Sequence, residues 1–338
     1  MTNVSDDHEF VANHSFAVVE PIDLVWKGVV VRVGAAELLH GVTGSISEGL
    51  IAIMGPSGSG KTTLLNCLSC RLDPRASVDG ELRINGEHYT TSKLKKFLGY
   101  VMQDDCHNPL LTVRETLRFV ADARLGHRHA PSELDIMVYD AMKSLSLLHC
   151  ADSLIGQGND GISGGEKKRL SVAIELLSRP KMLFLDEPTS NLDSLDALHF
   201  VRSLRDLVRE THCVVVCTIH QPQFKVFQLF DRLIMLRSGD IVYDGSVNPG
   251  VLEYCRSCGK PCPGDINPAD HIMEVIAPNL NDSFNTEARK RQQFLELYRI
   301  DDVDITSGAG RTKNVRYLRE GAPFLGMLKM SLWRSATL

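Results

Sequence analysis

No stretch of the 338-residue sequence approaches the roughly 20 consecutive apolar residues that a membrane-crossing helix needs; the longest apolar runs, such as Cys213 to Ile219, have the length of a strand. The amino terminus, MTNVSDDHEF, is polar and acidic and lacks the basic and apolar regions of a signal peptide. As it stands, the chain is expected to be soluble and cytosolic. Charge of one sign is also missing: 42 acidic residues nearly balance 37 basic ones, for a net charge of −5. That gives no basic field for nucleic acid and no acidic tail that would signal disorder. The run Lys93, Lys95 and Lys96 reads as a solvated helix face. Nine cysteines, an odd and mostly scattered set, fit reduced thiols rather than a disulfide framework. Cys255, Cys258 and Cys262 form a CxxCxxxC cluster. A structural zinc site wants four ligands, and the nearest fourth candidate, His271, stands at an unusual spacing, so free thiols are the expectation. Internal repeats and low-complexity tracts are absent.

What is present is a chain with 43% hydrophobic residues, enough to bury the core of one large domain with subdomains. Residues 1–22 read as a flexible tail. Leu24 to Val33 is β-branched and predicts a strand. Gly49 to Met54 is almost purely apolar, as expected of a strand covered on both faces. It runs into a Gly/Ser loop and a helix from Lys61 to Ser69. Further strands are predicted at Glu81–Ile84, Gly99–Met102, Met182–Leu185 and Cys213–Thr218, with helices at Gly164–Ser178 and Ser194–Glu210. Thr112 followed by Glu115 predicts a capping box, and Pro131-Ser132 the start of another helix. Leu233–Leu236 and Ile241–Tyr243 flank Ser238-Gly239, a hairpin signal. Strands alternating with helices imply an α/β core with a largely parallel sheet. Residues from about 105 to 178 show helical periodicity alone and predict a helical insertion. Residues 278–317 are polar and read as a linker, and 318–338 as an amphipathic helix.

Gly55-Pro56-Ser57-Gly58-Ser59-Gly60-Lys61-Thr62, followed by Thr63, fits GxxxxGK[ST] between a strand and a helix. The glycines allow backbone N–H groups to approach phosphate oxygens, and the helix adds its positive end. Lys61 is expected to reach the β- and γ-phosphates and the Thr62 hydroxyl to hold Mg²⁺. KMLFLDE places two carboxylates at the end of a buried strand, which suits Asp186 as a Mg²⁺ ligand and Glu187 as a general base for the attacking water. Gln103, after a strand in YVMQDD, can ligate Mg²⁺ or the water. His220, in TIHQP, can contact the γ-phosphate. Ser163-Gly164-Gly165-Glu166 opens another helix, with Ser163 as a candidate N-cap, and forms a second anion-binding helix end. One ATP rarely needs two cradles. The economical expectation is a head-to-tail dimer in which this segment serves the ATP of another subunit.

The ordered set GPSGSGKTT, Gln103, ISGGE, MLFLDEP, SNLD and His220 resembles the ABC ATPases over about residues 24–277. The wording MGPSGSGKTTLLNCL, LTVRETL, SGGEKKRLSVAIEL, DEPTSNLDS, TIHQP and NPADHIMEVI resembles the G subfamily, the White-type half-transporters of sterols, lipids, pigment precursors and drugs. The resemblance implies an α/β P-loop NTPase of ABC type, with a mixed central sheet, an antiparallel β subdomain and a helical insertion, over residues 23–277. It implies ATP and Mg²⁺ as ligands, and Gly55–Thr63 of one copy facing Ser163–Glu166 of the other. It implies a role for Asp193 in communication across the dimer, and a second ABC domain as homo- or heterodimer partner. It also implies a membrane domain carboxyl-terminal to the amphipathic segment, which would place the chain at the cytoplasmic face of a membrane, and export of a lipid, sterol or other hydrophobic substrate. Two positions depart from the commoner patterns: Asn191 stands where a glycine is usual, and no aromatic stands near position 32 to stack on adenine, Trp26 being the nearest. Two other readings stay open here, a soluble ABC ATPase and a non-hydrolysing partner in a heterodimer; the intact Glu187 speaks against the second.

Overall fold

The computed structural model describes residues 21–157 and 160–276. The expected amino-terminal tail, save for its last residues, the linker and the amphipathic segment lie outside the described residues. The chain opens with β1 (Leu24–Val33) and β2 (Ala36–Ile46), where burial alternates over much of each strand, and then enters β3 (Leu50–Met54), in which every residue is buried. Helix α1 (Lys61–Leu68), β4 (Ala76–Ile84), the short β5 (Glu87–His88), α2 (Thr91–Leu94) and β6 (Leu98–Val101) follow. From there to β7 (Met182–Leu185) the described residues form helices: α3 (Val113–Leu125), α4 (Pro131–Ser144), a 3₁₀ turn at Leu148–Cys150 and α5 (Gly164–Leu176), with one isolated bridge between Thr112 and Leu154. Then come α6 (Ser194–Thr211), β8 (Val214–Thr218), α7 (Phe224–Phe227), β9 (Arg232–Arg237), β10 (Asp240–Ser246), α8 (Gly250–Ser257) and α9 (Pro268–Ile276).

The strands form two sheets. One is antiparallel, in the order β2-β1-β4-β5; the other has six strands in the order β10-β9-β3-β8-β7-β6. The second sheet is parallel from β9 to β6 and carries β10 antiparallel at its edge, so it is mixed. Alternate residues of each parallel strand serve two different cores, because successive side chains leave opposite faces. Leu50, Ala52, Met54, Leu183, Leu185, Val215 and Cys217 join the helices, whereas Ile51, Ile53, Met182, Phe184, Val214 and Val216 join α1 and the antiparallel sheet. This double covering is why these strands are apolar throughout.

The capping box at Thr112 and Glu115, Pro131 in the first turn of α4 and the hairpin at Ser238-Gly239 are all formed. Ser238 and Gly239 both take positive φ, 46° and 80°, which matches the twist of a two-residue hairpin turn. Strand β2 and helices α8 and α9 are formed without having been predicted from the sequence. Trp26 presents no stacking face to a nucleotide: it is 0% exposed, and its indole fills the space beside Gly44, where an added Cβ would stand 2.4 Å from Trp26 Cζ2.

Candidate nucleotide site

Four segments of the site hang from the carboxyl ends of four adjacent parallel strands, β3, β8, β7 and β6, the edge where open α/β sheets bind ligands. After β3 the chain turns sharply. Gly55 has φ 153°, and a Cβ there would lie 2.2 Å from the Leu236 carbonyl oxygen; at Gly60, with φ 102°, it would lie 2.8 Å from Leu39 Cδ2. Only glycine fits at either position. Lys61, 6% exposed, donates from Nζ to the carbonyl oxygens of Gly55 at 2.9 Å and Pro56 at 3.1 Å. Burial lowers its pKa, against the opposing pull of the Glu187 and Asp186 carboxylates. Gly60 is the N-cap of α1 and supplies no side-chain bond. The Ser59 hydroxyl is buried and has no hydrogen-bond partner among the described residues. The uncapped start of α1 thus has backbone donors that no side chain satisfies, where an anion fits.

A hydrogen-bonded path joins this loop to the end of β7. Thr62 Oγ1 donates to Asp186 Oδ1 at 3.1 Å, and Thr218 Oγ1 donates to the same oxygen at 2.7 Å. Thr218 Oγ1 in turn accepts from the Glu187 backbone N–H at 2.7 Å. Glu187, in the left-handed region at φ 43°, accepts on Oε2 from Gln103 Nε2 at 3.1 Å and from Ser190 Oγ at 3.0 Å. Thr62 and Asp186 offer two hard oxygen donors, which fit Mg²⁺. Gln103 rests on Glu187 and makes no bond to this pair. His220 is exposed at the end of β8, where the Ile219 N–H donates to the Ile53 carbonyl at 3.0 Å. The next turn is held from behind: Asn267 Nδ2, just before α9, donates to the Pro222 carbonyl at 3.0 Å.

Ser163 to Glu166 lie at the start of α5. Ser163 Oγ accepts from the Glu166 N–H at 3.2 Å, and Glu166 Oε2 accepts from the Ser163 N–H at 2.7 Å, a reciprocal capping box. Asp193 is the N-cap of α6, accepting from Leu195 N and Asp196 N at 2.8 Å each. The two helix starts abut: a Cβ on Gly164 would stand 3.4 Å from Leu192 Cδ2, and one on Gly165 3.0 Å from Asp196 Cγ. Among the described residues no hydrogen bond or ion pair joins them directly to the phosphate loop, but Lys168 connects α5 to the Gln103 segment. Its ammonium, 3% exposed, donates to the Gln103 carbonyl at 2.8 Å and to Asp105 Oδ1 at 2.9 Å. Ser171 Oγ donates to Asp105 Oδ1 at 2.6 Å, and His107 Nε2 lies 2.9 Å from Ser171 Oγ. Burial lowers the His107 pKa, partly offset by Asp105.

Residues 39–190 match the family described as ABC transporter, and residues 220–297 match the family described as ABC-2 type transporter. Among curated proteins, the chain is 38% identical over 288 residues to ABC transporter G family member 7 of Arabidopsis thaliana, covering 82% of this chain and 39% of that protein. It is 43% identical over 263 residues to ABC transporter G family member 11 of the same plant, covering 75% of this chain and 36% of that protein. It is 40% identical over 266 residues to the ABC transporter ATP-binding protein/permease wht-1 of Caenorhabditis elegans, covering 77% of this chain and 39% of that protein. The chain belongs to the G family of ABC transporters. It spans about two fifths of the length of these relatives. In this G-family chain the part of the second match that is described, 220–276, builds β9, β10, α8 and α9 onto the same fold. No helix among the described residues is long and apolar enough to cross a membrane.

Several residues of this G-family site escape sequence reasoning. Thr218, buried in β8, and Ser190 are single hydroxyls without a motif of their own. The pairing of Lys168 with Asp105 joins positions 63 apart in sequence and leaves no local signal. The cysteine cluster does not converge on a metal position. Cys255 is buried and Cys258 exposed, Cys262 Sγ donates to backbone carbonyls of Pro263 and Ile266, and His271 Nε2 lies 2.9 Å from the Lys260 carbonyl.

Proposed function

We propose that this chain is the ATP-binding and ATP-hydrolysing part of a G-family half-transporter, residues 23–277 forming its motor domain. The observation that carries the reading is the continuous path Thr62–Asp186–Thr218–Glu187–Gln103, which ties a phosphate loop, an oxygen pair suited to Mg²⁺ and a carboxylate base into one array. The backbone of Gly55–Thr63 and the uncapped start of α1 bind the triphosphate. Lys61 exchanges its present bonds to Gly55 and Pro56 for phosphate oxygens. Thr62 and Asp186 would hold Mg²⁺, with Gln103 as a further candidate ligand, and the ion would supply charge neutralisation to the phosphates. Glu187 takes the proton of the attacking water, while Gln103 and Ser190 hold its carboxylate in place. His220, exposed on the neighbouring strand, senses the γ-phosphate.

Ser163–Glu166 and Asp193 sit together on a different helix pair, and they serve the nucleotide of a second domain in a head-to-tail dimer, of the same or another chain. Closure of that dimer drives membrane segments outside the described residues, at the cytoplasmic face of a membrane. The exported substrate is a lipid, sterol or other hydrophobic molecule. Light scattering of Glu187→Gln tests the dimer. With the base removed, hydrolysis stalls, so a dimer is expected in MgATP and a monomer in MgADP. A monomer in both, with ATP bound, overturns self-pairing of this chain.

A further inference from the structure

Next to the Ser163 turn lies a group that the ATP reading does not use. The 3₁₀ turn at Leu148–Cys150 is pinned beside the helices, with the Arg114 N–H donating to the Ala151 carbonyl at 2.8 Å and the Ile155 N–H to the Leu111 carbonyl at 2.9 Å. This brings His149 and Cys150 against the first turn of α5. His149 Nε2 lies 2.7 Å from Glu166 Oε1, and one ligand atom from each of His149, Cys150 and Glu166 falls within 4.8 Å of the other two. It is the group of potential metal ligands that converges among the described residues.

We propose that His149 Nε2, Cys150 Sγ and Glu166 Oε1 bind one Zn²⁺, with water as the fourth ligand. Nitrogen, sulfur and oxygen donors in one tetrahedral shell suit this borderline-soft ion, and bond lengths of about 2.0–2.3 Å put ligand atoms about 3.5 Å apart, within reach of the present spacing. The two oxygens of Glu166 divide the work. Oε2 accepts from the Ser163 N–H at 2.7 Å, which fixes the carboxylate's orientation and leaves Oε1 for the metal. Charge also balances. A thiolate and a carboxylate cancel the two positive charges of the ion, so the positive end of α5 meets a neutral complex. Access is graded, with His149 exposed at the mouth, Glu166 partly buried and Cys150 buried at the floor. Burial, first, and the nearby Glu166 carboxylate hold the Cys150 thiol protonated, with a pKa of about 11. On binding, the zinc–sulfur bond replaces the S–H bond and that proton goes to solvent; the proton that His149 Nε2 shares with Glu166 leaves as well, the ring keeping its proton on Nδ1, so that the His149–Glu166 hydrogen bond gives way to two metal bonds.

Calorimetric titration of the whole chain with ZnCl₂, repeated on His149→Ala and Cys150→Ala, tests the site. Absorption spectra with Co²⁺ in place of zinc report sulfur ligation. His149 is exposed, so its variant keeps the fold, as circular dichroism will check. One equivalent of zinc is expected in the wild type, with affinity lowered by about tenfold or more in each variant. A thiolate-to-cobalt absorption band is expected in the wild type and absent in Cys150→Ala. Zinc held at unchanged affinity by both variants would place it on other thiols, such as the exposed Cys106 or Cys258, and overturn the proposal, as would the absence of a one-equivalent site. No nucleotide enters these measurements, so their outcome is independent of the ATP reading.

Discussion

Helices α1 and α5 both have glycine at their starts, Gly60 as the N-cap of α1 and Gly164 as the first residue of α5, yet their first turns are finished in opposite ways. At α1 the N-cap is Gly60, no side chain closes the turn, and the neighbouring Ser59 hydroxyl is buried without a partner among the described residues. At α5 the Ser163 hydroxyl and the Glu166 carboxylate close the turn on each other. The difference separates two kinds of anion site. One keeps its donors open and depends on a ligand to satisfy them; the other is complete in the free protein and offers the remaining glycine amides as a formed surface. On the proposed function, the first is the seat of the chain's own phosphate, and the second suits a phosphate that arrives with another subunit and leaves again.

Lys61→Ala should open the widest gap between the two helices. Affinity for MgATP is expected to fall on the order of 100-fold, the loss of about two charge-assisted bonds, when read by a fluorescent nucleotide titration. The apo protein should unfold at the same or a higher urea concentration, because burial already disfavours the ammonium. Ser163→Ala should act the other way. It is expected to cost about 1 kcal/mol in urea unfolding, as for other lost N-caps, with binding of ATP to the same chain's phosphate loop little changed. The smallest effect is in acid. Partial burial works to raise the Glu166 pKa, but the bonds from Ser163 and His149 outweigh it and hold the carboxylate below its ordinary 4.5. A depressed folded pKa means stability that is complete above 4.5 and lost as the pH falls through the lower folded value. The urea midpoints of wild type and Glu166→Gln should therefore converge as the pH drops below that range. Midpoints that stay parallel would show that the carboxylate's charge contributes nothing to closing the turn.

The asymmetry also marks how far the sequence could be read. Ser163 and Glu166 announce their box by spacing, as Thr112 and Glu115 do, and the strands flanking the site are apolar runs with few alternatives. The whole set of site segments at the ends of β3, β6, β7 and β8 was legible for that reason. Strand β2 was not, because Gly41 and Gly44 interrupt its pattern, and Gly44 is there to admit the Trp26 indole, a contact no local rule reveals. Helix α9 carries a legible start, Asn267 before Pro268. Thr218, Ser190 and the Lys168–Asp105 pair were hidden for a deeper reason: each has its role only through a partner far away in the chain.

Asn267 gives the molecule a mechanical property. Its side-chain amide holds the Pro222 carbonyl, two residues past His220, while its own segment opens the last described helix. A tug on the carboxyl end of α9 therefore arrives as a displacement of the turn that carries His220, much as a bell wire moves a clapper in another room. The same wire runs in reverse, so a shift of the turn after His220 is felt at the start of α9.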